Sequence, residues 1–126
     1  MDTEFQALAT MAQAYFDAAY DMDADKFASM FHSASSVSSV TRVGDEITVS
    51  VTPIESWLTA VRNMKAPKQL GLERRDELLS IDVVRELALV KLKLQIPPRY
   101  FTDMLSCVKT DKAWTIVQKV TIVDSR

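Results

Sequence analysis

Asp103 is the residue of this chain best placed to do chemistry. In strand phase it lines up with Phe101, Leu105 and Cys107, an otherwise apolar set, which points its carboxylate into the protein. A carboxylate taken out of water is costly unless it is paired or protonated, and burial raises its pKa. Carboxyls tuned in this way serve as general acids or bases. The alternative is structural, with Asp103 hydrogen-bonded to a tyrosine or to backbone groups.

His32 is the only histidine and Cys107 the only cysteine. His32 stands at the end of a helical segment, where an imidazole can cap the last carbonyls. No carboxylate close in sequence would orient its ring for catalysis. A Cys107–His32 nucleophilic pair has the right residue types but no local signature, and a strand cysteine is usually a small buried hydrophobe. Trp57 lies on the apolar face of a helix and either packs in the core or walls a ligand cavity. Trp114 opens the last strand and reads as core. Gln118 shares strand phase with Trp114 and Ile116, which aims its amide at the cavity. Lys119 then falls on the other face of the sheet, either solvated or paired with an acidic residue across an interface.

The composition removes most other chemistries. The two glycines, Gly44 and Gly71, are too few and too far apart for a phosphate-cradling loop. One histidine and one cysteine leave no zinc site, disulfide or redox pair to build, so no metal and no cofactor is expected. The net charge is −2 and no basic block exceeds a pair of residues, which argues against nucleic acid and anionic membrane as partners. Apolar runs reach about four residues, far short of the roughly 20 that span a bilayer. The chain opens on Asp2 and Glu4 rather than a basic leader, and its lone cysteine suits a reducing compartment, so the expected location is cytoplasmic. With 126 residues, 48% of them hydrophobic and 25% charged, the whole of 1–126 reads as one globular domain.

The elements that must position these residues follow from periodicity. Phe5, Leu8, Ala12, Tyr15, Phe16 and Ala19 recur at spacings of three and four, predicting a helix to about Tyr20 that starts on a Thr3–Gln6 capping box. Asp23 is the expected N-cap of a short helix bearing Phe27, Met30 and Phe31. Ser35–Val43 reads as a strand, Gly44-Asp45 as a tight hairpin turn, and Ile47, Val49 and Val51 as the return strand. Thr52, Pro53 and Glu55 predict a capped third helix with Ile54, Trp57, Leu58 and Val61 on its buried face and Pro67 as its stop. The rest is strands: 72–85, bulged near Leu78–Ile81; Ala88–Ile96, ended by Pro97-Pro98; Tyr100–Lys109; a turn at Thr110-Asp111-Lys112; and Ala113–Val123. Segregated helices and strands make an α+β fold.

This order resembles the cystatin-like cone of the nuclear transport factor 2-like superfamily, the fold of ketosteroid isomerases and SnoaL-type polyketide cyclases. In it three helices from the N-terminal half pack on a strongly curved mixed or antiparallel sheet. Tyr15-Phe16-Asp17, Asp25-Lys26-Phe27 and Phe31-His32 with Ala34 resemble the paired first helices and the corner into the first strand. Residues 100–106 followed by 113–120 resemble the final hairpin of a branch described as "putative lumazine-binding". The resemblance implies a homodimer formed through the exposed sheet face. It also sets Tyr15 against the isomerases' oxyanion tyrosine and Asp103 against their second acid. The isomerase base has no counterpart, because no Asp or Glu occurs between His32 and Gly44.

The leading expectation is therefore a homodimer that binds a small apolar or aromatic molecule in a cavity lined by Tyr15, His32, Trp57, Asp103 and Gln118. A lyase or isomerase using Asp103 as acid or base with Tyr15 as donor is the alternative. A third reading is a protein-interaction module whose cavity is filled by its own side chains.

Overall fold

The computed structural model describes residues 2–96, 99–111 and 113–125. The expected stop at Pro97-Pro98 and Lys112 of the last turn lie outside these residues. Three helices, α1 (Thr3–Asp21), α2 (Ala24–Met30) and α3 (Ile54–Arg62), pack on six strands. The strands are β1 (Phe31–Val43), β2 (Glu46–Pro53), β3 (Asp76–Val84), β4 (Leu87–Ile96), β5 (Arg99–Thr110) and β6 (Ala113–Ser125). They form one sheet of order β2-β1-β6-β5-β4-β3, antiparallel except where β1 meets β6 in parallel. This is the α+β architecture that the order of elements led us to expect.

The helices form where the apolar stripes lie, but two caps differ from the sequence reading. Asp2, not Thr3, caps α1, its carboxylate accepting from the Glu4 and Phe5 amides, and Thr3 becomes the first helical residue. Aspartate also complements the positive helix end, so it wins over the neighbouring hydroxyl. Asp23 caps α2 through the Lys26 amide, as the spacing predicts. At α3 the capping box does not form: Thr52 is still paired with Val37 in the sheet, and Pro53 takes the cap position with no side-chain bond. The helix also ends short of Pro67, because the Asn63 amide side chain captures the Thr59 carbonyl and the last turn tightens to i−3 bonding.

Leu8, Ala12, Tyr15, Phe16 and Ala19 of α1 and Phe27 of α2 meet Val37, Val90, Leu92, Leu105 and Ile116 on the inner face of the sheet. The hairpin turns on Gly44, whose φ of +63° is a conformation that glycine adopts without a Cβ penalty. Three irregularities break the ladders, between Phe31 and Ser36 in β1, at Leu79 in β3 and at Val117 in β6. Each extra residue bends its strand and changes which side chains face inward beyond it.

Candidate functional site

The middle of β5 has no such irregularity, so strict alternation holds from Phe101 to Leu105 and sends Asp103 inward beside its apolar neighbours. Asp103 is 1% exposed. Facing it from α1, the fully buried Tyr15 donates its phenol O–H to Asp103 Oδ2 at 2.8 Å. Lys119 of β6 brings its Nζ to 3.6 Å from the same oxygen. That ammonium also lies 4.4 Å from the centroid of the Trp57 ring and 5.4 Å from that of Tyr15, within cation–π range of both. An edge-to-face chain from Tyr15 through Phe27 to Trp57 fixes the aromatic wall.

These groups line a cavity of about 160 Å³ between the helices and the inner sheet face. Its walls are otherwise apolar, including Phe27, Val61, Leu94 and Phe101, and the half-exposed Met64 stands among its lining residues. Ser39 and Thr121, paired across β1 and β6, add two hydroxyls. Thr121 also stands opposite Asp103 across β5 and β6. Two buried oxygens here have no hydrogen-bond partner among the described residues: Asp103 Oδ1 and Thr121 Oγ1.

Electrostatics set the protonation states. Burial, helped by the neighbouring Asp103 carboxylate, pushes the Tyr15 phenol well above its ordinary value, so Tyr15 is a fixed neutral donor. Burial lowers Lys119 from its ordinary value, and attraction to Asp103 offsets only part of that.

Of the residues singled out in the sequence, Tyr15, Trp57 and Asp103 lie together on the cavity wall. Gln118 does not. The extra residue Val117 reverses the alternation after Ile116, so Gln118 faces outward, where its amide joins Ser36 and Ser38, and Lys119 faces inward. The placement of Lys119 on the outer face is corrected with it. His32 also lies outside the cavity: it is exposed, and its Nδ1 accepts from the Ala34 amide in the irregular start of β1 instead of capping α2. Cys107 is buried in the core with its thiol pushed up to about 12 by burial, and its Sγ–H donates to the Leu105 carbonyl, so it forms no nucleophilic pair with His32. Trp114 packs against the core and donates its indole N–H to Glu4. Lys119, Thr121 and Ser39 are the polar cavity residues that sequence reasoning missed. Their only signal is that Lys119, Thr121 and Val123 share a phase opposite to Val120 and Ile122.

Among the described residues no group of three or more His, Cys, Asp or Glu side chains gathers to hold a metal ion. None of the described helices is long and apolar enough to cross a membrane.

Comparison with known proteins places this geometry in a wider set. Residues 3–121 match a family model described as "Putative lumazine-binding". An NTF2-like protein of unknown function from Shewanella baltica superposes with a TM-score of 0.82 at 22% identity, over 98% of this chain and 95% of that one. A second NTF2-like protein of unknown function, from Methylobacillus flagellatus, gives 0.81 at 20% identity over 99% and 96%. A protein with a cystatin-like fold from Nostoc punctiforme gives 0.70 at 10% identity over 98% and 93%. No curated protein matches the chain. With nearly its whole length matched, the chain belongs to the family described as "Putative lumazine-binding", and it shares the fold of these NTF2-like and cystatin-like structures.

Proposed function

We propose that this chain is a homodimeric small-molecule-binding protein whose ligand is small, flat and largely apolar, with a hydrogen-bond donor at one end. The observation that carries this reading is the pair of buried oxygens, Asp103 Oδ1 and Thr121 Oγ1, without a partner among the described residues, on residues lining a cavity that is apolar apart from them, Tyr15, Ser39 and Lys119. Buried polar atoms are nearly always hydrogen-bonded, and the exceptions call for a partner. A ligand O–H or N–H directed at Asp103 Oδ1 supplies one. The volume of about 160 Å³ suits a single ring, since an apolar cavity of about 150 Å³ holds benzene.

The dimer reading is supported by the outer face of the sheet. Val49 and Val51 of β2, Val120 and Ile122 of β6 and Met104 of β5 are all exposed there, and on β1, between β2 and β6, Val40 pairs with both Val49 and Ile122. Contiguous apolar surface of this kind marks an interaction site. A second reading, a lyase or isomerase with Asp103 as acid or base, is favoured by the short Tyr15–Asp103 bond. It lacks a second carboxylate near the first strand.

Benzyl alcohol, a single ring bearing one donor, tests the binding reading against toluene, which has the ring alone. Thermal unfolding is expected to shift upward with benzyl alcohol and much less with toluene, and Asp103→Leu should abolish the difference. Equal effects of the two, or none from either, would overturn it. Native mass spectrometry beside a denatured control reports any molecule already carried.

A further inference from the structure

Lys119 is not needed to anchor a donor-bearing ring, yet it lines the cavity with its ammonium 4.4 Å from the centroid of the Trp57 ring. Resting on the binding reading above, we propose that the cavity takes small aldehydes or ketones and that Lys119 condenses with them to a protonated imine.

The geometry supplies each part of that chemistry. Lys119 lines the cavity and is shielded from solvent, its side chain 9% exposed. Among the described residues Asp103 is the one acid within ion-pair distance, at 3.6 Å. Of the two carboxylate oxygens, Oδ2 is engaged by Tyr15 and Oδ1 has no partner, so one remains able to carry protons. The Thr121 hydroxyl, also unpartnered, can donate to a carbonyl oxygen. The apolar walls hold the ring of an aromatic carbonyl compound, and Trp57 and Tyr15 flank the amine. Lysines made nucleophilic for Schiff-base chemistry are found in such desolvated pockets, and burial moves Lys119 in the required direction.

The step balances without any oxidant or reductant. Lys119 passes one ammonium proton to Asp103, and the freed lone pair attacks the carbonyl carbon. The carbonyl oxygen takes that proton back through the carboxyl group, giving a carbinolamine. A second N–H proton follows the same path, the C–O bond breaks, and water departs. The C=N bond that remains keeps the third proton and the positive charge beside the Asp103 carboxylate. One ammonium and one carbonyl compound thus become one iminium and one water.

The test uses benzaldehyde with sodium cyanoborohydride at neutral pH, followed by peptide mass mapping of the intact protein's digest. The borohydride reduces any iminium to a stable benzyl amine. Lys119 is expected to be labelled several-fold faster than Lys68, whose side chain is 70% exposed. Excess benzyl alcohol, which fills the cavity without a carbonyl, is expected to slow labelling of Lys119 and leave Lys68 unchanged. Lys119→Arg, which keeps the charge beside Asp103, should lose the fast adduct. Labelling spread over exposed lysines with Lys119 unmodified overturns the proposal, and so does labelling of Lys119 that benzyl alcohol fails to slow. If benzyl alcohol raises the unfolding temperature while Lys119 stays unlabelled, the covalent chemistry falls and the binding reading stands. If it does neither, both fall.

Discussion

Lys119 and Asp103 form an ion pair 3.6 Å apart in which both side chains are almost wholly removed from water. Desolvating two charges costs several kcal/mol each, and their attraction repays this only when hydrogen bonds satisfy what remains. Here Tyr15 satisfies one carboxylate oxygen and the other is left without a partner among the described residues. The pair is therefore a poor device for stability and a costly one to keep for that purpose alone.

Removing one member should be far worse than removing both. Lys119→Met leaves a buried carboxylate unpaired and is expected to cost about 3–5 kcal/mol. The double variant Lys119→Met with Asp103→Leu should recover most of that loss. Urea unfolding of the three proteins checks it, and a double variant as unstable as the single one would contradict it.

Tyr15→Phe removes the phenol that donates to Asp103 and leaves its ring packing against Phe27 in place. Loss of that partner by a buried acceptor should cost about 1–3 kcal/mol or somewhat more, because the acceptor is charged. Equilibrium unfolding should show a lowered midpoint with an unchanged denaturant slope.

The Cys107 thiol has an ordinary value of 9.0 and is held at about 12 in the folded protein. Between these values the folded thiol keeps its proton while the unfolded one releases it. Its contribution to stability is therefore complete below pH 9.0 and is lost as the pH rises towards 12, a total of about 4 kcal/mol at about 1.4 kcal/mol per unit. Cys107→Ala should flatten this alkaline decline. The difference between the two proteins, followed by unfolding at pH values above 9.0, isolates it from Lys119 and Tyr15.

The outer face gives a separate prediction. Val120→Asp places a charge at the middle of the apolar patch, where Val120 is 40% exposed and packs no core. Light scattering of the native protein should give twice 14.2 kDa, and the variant should give 14.2 kDa with its fold intact by circular dichroism. A native protein at the single-chain mass would remove the dimer.

The fold was legible because each element carries a period that only one structure satisfies. The three- and four-residue spacing on α1 is buried from Leu8 onward, with Phe5 at its start 46% exposed, and the alternation Ala88, Val90, Leu92 and Leu94 on β4 is buried throughout. The upset at Leu78–Ile81 is likewise the bulge at Leu79. Asp103 was legible for the same reason, since no bulge separates it from Phe101 and Leu105 on its strand. Lys119 and Gln118 exchanged faces because one inserted residue, Val117, shifts a two-residue period by half, and nothing local in Thr115–Val120 announces it. His32 failed similarly at the irregular start of β1. Alternation on β2 also gives no sense of direction. Ile47, Val49 and Val51 face away from the helices, while Thr48 and Ser50 share the inner side with Thr41 and Ser39.

The positions of the two tryptophans give this protein an optical property. Trp57 forms part of the chamber wall under the Lys119 ammonium, while Trp114 lies outside that lining and is tied to Glu4. A positive charge close to one side of an indole shifts its emission, so any molecule that displaces or neutralises the ammonium changes the colour of Trp57. Trp114 supplies a constant signal beside it. With Trp114→Phe to isolate the responsive ring, occupancy of the chamber can be followed in unlabelled protein by intrinsic fluorescence alone.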